Sequence, residues 1–178
     1  KMYMDFAGDK MHYINRLTGE TVWCDILICC LPYSDYGFAI PVSATNTEEF
    51  IYALRSCLHH LGGVPQVMVP DNMKTAVTKA NRYEPEINQI LQDFADHYGA
   101  AVLPTRVRKP KDKALVEDHV KLMYTRVFAK LRNEKFFSFT ELYMAMQEKM
   151  KESNQTRMQE KPYSREEKFL AEEKPLLK

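Results

Sequence analysis

The sequence predicts an α/β domain in which a mixed sheet carries helices on its faces. Strand-like runs crowd the first forty or so residues, where apolar and polar positions alternate or merge into short apolar stretches. The hydrophobic period then lengthens to that of a helix, and two further short apolar runs, QVMV and AAVLP, alternate with helical stripes. At 178 residues, 45% hydrophobic and 28% charged, the chain holds enough apolar material for one ordinary domain with a real core.

KMYMDFAG opens as a strand that stops at Gly8, and MHYINRLTGETVWCDILICCLP follows as two strand-like runs about a turn at Leu17–Glu20. TVWCDILICCL is nearly all apolar, as a strand covered on both faces would be. YGFAIPV is the next strand, and Pro41 predicts an edge position for it. Phe50, Leu54, Cys57, Leu58 and Leu61 then form a helical stripe, entered through Thr45 or Asn46 and stopped by Gly62-Gly63. QVMV is a short buried strand ending in PDN. A second helix is expected from Pro85 through Ile87, Ile90, Leu91, Phe94 and Tyr98 to Gly99. AAVLP is the last strand. A long helix follows with Val116, Val120, Met123, Val127 and Leu131 on one face, and SFTELYMAMQEKM makes another, with Ser138 and Glu141 as a capping box. Residues 1–150 are thus expected to form the folded body. From 151 the chain turns polar and reads as an arm or linker with a short helix after Ser164.

No apolar run approaches 18 residues and the N-terminus lacks a signal-peptide layout, which excludes a membrane span and secretion. Cys24, Cys29, Cys30 and Cys57 lie in apolar surroundings without disulfide-framework spacing, so the expected compartment is a reducing cytoplasm. Cys29 and Cys30 would point to opposite faces of their strand, which disfavours joint zinc ligation. A net charge of +1 does not itself indicate nucleic acid. The basic charge is concentrated, however, in RVRKPKDKALVEDHVK, where Arg106, Arg108, Lys109, Lys111 and Lys113 precede Glu117 and can meet phosphates locally.

Three acids occupy unusual positions: Asp5 within the first strand, Asp71 at the end of QVMVP, and Glu117 near the start of the long helix. If the first and QVMV strands are neighbours, Asp5 and Asp71 lie together and the helix can carry Glu117 over the same edge, where open α/β sheets place ligands. Clustered carboxylates repel unless a cation is present, and an all-oxygen site suits Mg²⁺ or Mn²⁺. Each acid also has a structural explanation. Asp71-Asn72 can form a side-chain-bonded turn, Asp5 can be a strand-end acid facing water, and Lys113, Glu117 and Lys121 have the spacing of an exposed ion-pair ladder. His119 lies about 200° round the helix from Glu117, on another face.

The wording of MDFAGD, GGVPQVMVPDNMKTAV, FADHYGAAVLPTRVRKPKDKALVEDHV and YSREEKFLAEE resembles the catalytic region of IstA-type insertion-sequence transposases, across most of the chain and in order. The resemblance implies a ribonuclease-H-like fold with a mixed five-stranded sheet, flanking helices and a C-terminal helical arm. It implies an acidic DDE triad of Asp5, Asp71 and Glu117, with 45 residues between the last two. It further implies a bacterial enzyme with DNA as substrate and Mg²⁺ as cofactor (two ions, with Mn²⁺ as substitute). A homo-oligomeric active complex and a separate AAA+ helper ATPase are implied as partners. Arg106, Arg108, Lys109, Lys111, Lys113 and Lys121 would then meet DNA phosphates, with Asn72 and Lys74 as weaker neighbours at the same edge. Proteins of that family resemble helix-turn-helix proteins before this region and continue beyond SREEKF, so the sequence looks like a catalytic core. A catalytically silent DNA-binding or assembly module and a metal-dependent nuclease outside transposition are the competing expectations.

Overall fold

The structure is a computed structural model and describes residues 1–43, 46–71, 77–79, 86–105 and 110–178. Strand β1 (Met2–Phe6) runs antiparallel to β3 (Thr21–Leu31), with Tyr3 opposite Cys30 and Phe6 opposite Leu27. Beyond Gly8 the chain continues as β2 (Met11–Ile14), which pairs with the first residues of β3. The other edge of β3 takes β4 (Tyr36–Val42), while β1 pairs in parallel with β5 (Val67–Pro70), and β5 in parallel with β8 (Ala101–Val102). The result is one six-stranded mixed sheet. It matches the expected five strands once β2 is seen as the continuation of β1. A separate two-stranded sheet joins β6 (Val77–Lys79) to β7 (Glu86–Ile87).

Helix α1 (Thr47–Leu61) forms where the sequence supplies an apolar stripe with stops at both ends. Asn46 caps it by accepting from the Glu49 amide at 2.9 Å, and Gly62 ends it with φ +68° and an amide bond to the Leu58 carbonyl. Helix α2 (Gln89–His97) starts later than the apolar spacing suggested. The side chain of Asn88 accepts from the Ile90 amide and makes the cap, so Ile87 belongs to β7; Pro85 lies outside the described residues. Helix α3 (Pro110–Met123) passes through a π-helical turn (Tyr124–Phe128) into α4 (Ala129–Leu131), one long element along the opposite face. Helix α5 (Phe139–Gln155) is capped by Ser138, whose hydroxyl accepts from the Glu141 amide. The Glu141 carboxylate reaches back to the Phe137 amide, one residue beyond the expected box.

Apolar side chains divide between the two faces of the sheet. Met2, Met4, Leu27 and Cys29 pack with α1 and α2, whereas Ile26, Ile28 and Ala39 pack with α3, the π-helical turn and α5. The long apolar run of β3 is thereby buried on both sides, and the alternation of Cys29 and Cys30 between faces follows. Burial pushes the Cys24 thiol up to about 11, with help from the Asp25 charge, and drives that of Cys30 up strongly, so these thiols behave as small hydrophobes. Strand β4 takes the edge that Pro41 predicted. Its outer side is covered by α5, where Gln147 donates to the Ala39 carbonyl and Asn154 clamps Gly37 through both backbone groups.

The division expected at 150/151 falls inside α5, and the polar tail beyond it packs against the body. After α6 (Arg165–Lys168), with its capping box of Ser164 and Glu167, Phe169 is 2% exposed and stacks on Tyr36 with ring centroids 4.2 Å apart. Val64 and Lys178 exchange two backbone hydrogen bonds. Among the described residues no helix is long and apolar enough to cross a membrane.

Candidate active site

The rim formed by the C-terminal ends of β1, β5 and β8 collects two of the three predicted acids. The parallel register pairs Tyr3 with Val69 and Met4 with Pro70, and continuing it sets Asp5 beside Asp71 on strands about 4.8 Å apart. Tyr3 and Val69 share one buried cluster with Val120 of α3. Two residues further along each strand, Asp5 and Asp71 emerge on that same face. Both are half-buried. The Asp71 amide donates to the Met4 carbonyl at 3.0 Å, and its Oδ1 accepts from the Thr105 hydroxyl at 2.7 Å. Asp5 Oδ1 accepts from the Phe6 amide at 2.8 Å. Each carboxyl therefore has one oxygen oriented by a short bond, in a donor set of oxygen chemistry that suits a hard divalent cation.

Thr105 also donates its amide to the Pro70 carbonyl, which holds the chain after β8 against the same rim. Arg106 follows immediately in sequence. Arg106, Arg108 and Lys109, with Asn72 and Lys74, lie outside the described residues; for Lys111 and Lys113 only the helical backbone is described. Glu117 is exposed on α3, one turn before Val120, whose side chain packs over Tyr3 and Val69. Lys121 is exposed and stands 3.7 Å from Asp118, a surface pair of small energetic weight. Among the described residues no three His, Cys, Asp or Glu side chains are grouped closely enough to hold a metal ion. The fold thus sets Asp5 and Asp71 on neighbouring strand ends, while Glu117 is exposed on α3.

Sequence reasoning missed two supporting groups. Thr105 carries no signal beyond its place after the last strand. Tyr124, in the π-helical turn, accepts from the Asp9 amide at 2.7 Å and fixes the loop that follows Asp5. His119 does lie away from Glu117, as its helical angle required. It is 2% exposed, and its Nδ1 stands 2.9 Å from Asp35 Oδ1, while Asp35 Oδ2 accepts from Arg165 Nε at 2.8 Å. Burial by itself raises the Asp35 carboxyl, but the bonds and charges of His119 and Arg165 outweigh it, and the group sits below its ordinary 3.8. A carboxyl depressed in the folded state contributes stability above its unfolded value and loses it as pH falls through the folded one. Urea midpoints measured at pH 5 and pH 3 should therefore fall further for the parent chain than for Asp35→Asn, and equal falls would contradict the ion-pair account.

No family model matches the chain. The fold is similar to that of the crystal structure of the catalytic core domain of BIV integrase, at a TM-score of 0.67 and 12% identity over 98% of this chain and 96% of that one. The fold is therefore that of an integrase catalytic core, the ribonuclease-H-like class. In sequence, the chain is 35% identical over all 178 residues to a protein named as a transposase for insertion sequence IS408 of Burkholderia multivorans, and covers 34% of it. It is also 26% identical over 133 residues to the transposase for insertion sequence element IS21 of Pseudomonas aeruginosa, covering 75% of this chain and 34% of that protein. The chain belongs with the insertion-sequence transposases and spans about a third of the length of the curated relatives it matches.

Proposed function

We propose that this chain is the catalytic domain of a DNA transposase that cleaves a phosphodiester at a transposon end and joins the freed 3′-hydroxyl to target DNA. The observation that carries the reading is the parallel register of β1 and β5, whose continuation makes Asp5 and Asp71 neighbours, with α3 packed on the same face through Val120. Asp5, Asp71 and Glu117 would hold divalent metal, Mg²⁺ or Mn²⁺. Such ions, when bound, lower the pKa of the attacking hydroxyl or water and offset charge on the leaving oxygen. The chain's own contribution is positional. Thr105 and the Phe6 amide orient the two rim carboxyls, and the basic run delivers phosphates to them. In the cleavage step water attacks phosphorus and the 3′-oxygen departs with a proton. In the joining step that 3′-oxygen attacks a target phosphate and displaces a second 3′-oxygen, so one phosphodiester is exchanged for another without a covalent enzyme intermediate.

The resemblance to IstA-type transposases supports a homo-oligomer on paired DNA ends and an AAA+ helper ATPase as partners. An assay that supplies both a transposon-end duplex and a target duplex tests the reading, since a nuclease yields only cleaved ends and a silent module yields neither product. DNA binding through Arg106, Arg108, Lys109, Lys111, Lys113 and Lys121 should depend steeply on salt. Replacing Lys111, Lys113 and Lys121 by Gln is expected to flatten the slope of log K against log salt by about 0.9 for each phosphate that is no longer neutralised. An unchanged slope would return these lysines to the role of a solvated ion-pair ladder.

A further inference from the structure

We infer that His119 is a positioning residue for Glu117, locking the rotation of α3 through Asp35 and Gly37 so that the third carboxylate is presented over the Asp5–Asp71 rim. The inference rests on the proposed role of Glu117. Among the described side chains of Ala114 to Lys121, His119 is the buried one, Val120 is half-buried and the others are exposed. Glu117 thus lies among exposed side chains, and of the described side chains in this stretch His119 is the one sunk into the body.

The seat of His119 has little slack. His119 Nδ1 and Asp35 Oδ1 share a hydrogen bond at 2.9 Å, which ties α3 to the turn before β4. Asp35 stands at φ +59°, a left-handed conformation that glycine adopts more readily, with its amide bonded to the Leu31 carbonyl. Its second oxygen is held by Arg165 from the segment after α5. On the far side of the imidazole lies Gly37, where an added Cβ would come within 2.1 Å of His119 Nε2. Gly37 cannot retreat, because buried Asn154 donates to its carbonyl at 2.9 Å and accepts from its amide at 3.2 Å. His119 Nε2 has no hydrogen-bond partner among the described residues. It therefore meets the Gly37 backbone as a steric stop. With the ring tied at Nδ1 and stopped at Nε2, His119 fixes the azimuth of this part of α3, and Glu117, two residues earlier, inherits it. At 2% exposure the imidazole does not reach DNA, so this His–Asp pair is a strut and not a general base.

The test uses steric and hydrogen-bonding roles separately. His119→Asn retains a donor at the Nδ1 position and removes the atoms facing Gly37. His119→Ala removes both, and Gly37→Ala drives a methyl into the ring. In the full-length protein carrying this domain, His119→Ala and Gly37→Ala should each lower strand joining on the order of 100-fold, the cost of misplacing a reacting group by about 1 Å. DNA affinity and circular dichroism should be unchanged, and half-saturation by Mn²⁺ should shift upward. His119→Asn, which keeps the tether and loses the stop, should fall between the parent and His119→Ala, and Gly37→Ala on that background should add no further loss. Mn²⁺ titration of the 178-residue chain by calorimetry gives the same ranking without turnover. If Gly37→Ala alone fails to fold, the comparison on the His119→Asn background decides the steric claim, and Asp35→Gly, which removes the acceptor at a left-handed backbone position that glycine tolerates, decides the hydrogen-bond claim, with joining at the parental rate overturning it. Glu117→Gln separates the two levels. If it joins DNA normally, the proposed role of Glu117 fails. If it is inactive while His119→Ala and Gly37→Ala keep parental rates and Mn²⁺ affinity, the positioning role fails.

Discussion

Asp71→Asn is expected to reduce 3′-end joining about a thousandfold or more, with the thermal midpoint of unfolding nearly unmoved. The large kinetic effect follows from charge. An amide is a poor ligand for a hard dication, and the metal's stabilisation of developing charge is worth several kcal/mol, at one decade of rate per 1.36 kcal/mol. The small stability effect follows from the hydrogen bonds. The Asp71 amide bond to Met4 is main-chain and survives the substitution, and the carbonyl oxygen of asparagine can still accept from Thr105. Measuring joining products against a target duplex, alongside a melting curve, separates the two effects. Joining at the parental rate would remove Asp71 from the chemistry, while a collapsed melting curve would make it a structural residue.

Phe169→Ala should cost about 3–5 kcal/mol of folding stability, the usual penalty for emptying a buried phenylalanine site. Its ring is 2% exposed and lies nearly parallel to Tyr36, at 9° and 4.2 Å, so the loss includes a stacked pair as well as apolar area. For a chain of this length the midpoint should fall by roughly 6–20 °C. The result bears on domain organisation, because Phe169 lies in the polar segment whose composition suggests an arm. A loss below about 1 kcal/mol in urea unfolding would show that the segment only leans on the body; the expected loss makes it part of the cooperative unit.

The outline of the sheet was legible because its signals are local. The two-sided burial of β3, the edge position of β4 and the capped stripe of α1 all follow from residue order over short windows. The neighbourhood of Asp5 and Asp71 was legible at one remove, since it required only that β1 and β5 be adjacent. What escaped depends on groups distant in sequence. The Asp35 carboxyl joins residues 84 and 130 positions away, and no spacing rule announces that His119 and Arg165 will meet it. Phe169 is hidden by its surroundings, a single buried ring in a stretch of sequence dominated by charged residues. Ile87 matches the apolar period of a helix, but Asn88 offers the better cap and the helix starts after it. The π-helical turn that brings Tyr124 to Asp9 has no sequence signature of its own.

The central claim is that Asp5, Asp71 and Glu117 serve one metal centre on a single rim of the sheet. Anomalous diffraction from a crystal of the domain soaked in Mn²⁺ tests it most directly. The expected result is a peak beside the Asp5 and Asp71 carboxyls and within reach of Glu117 from α3. An ordered rim with no peak at millimolar Mn²⁺, or a peak whose ligands exclude Asp5 and Asp71, would contradict it.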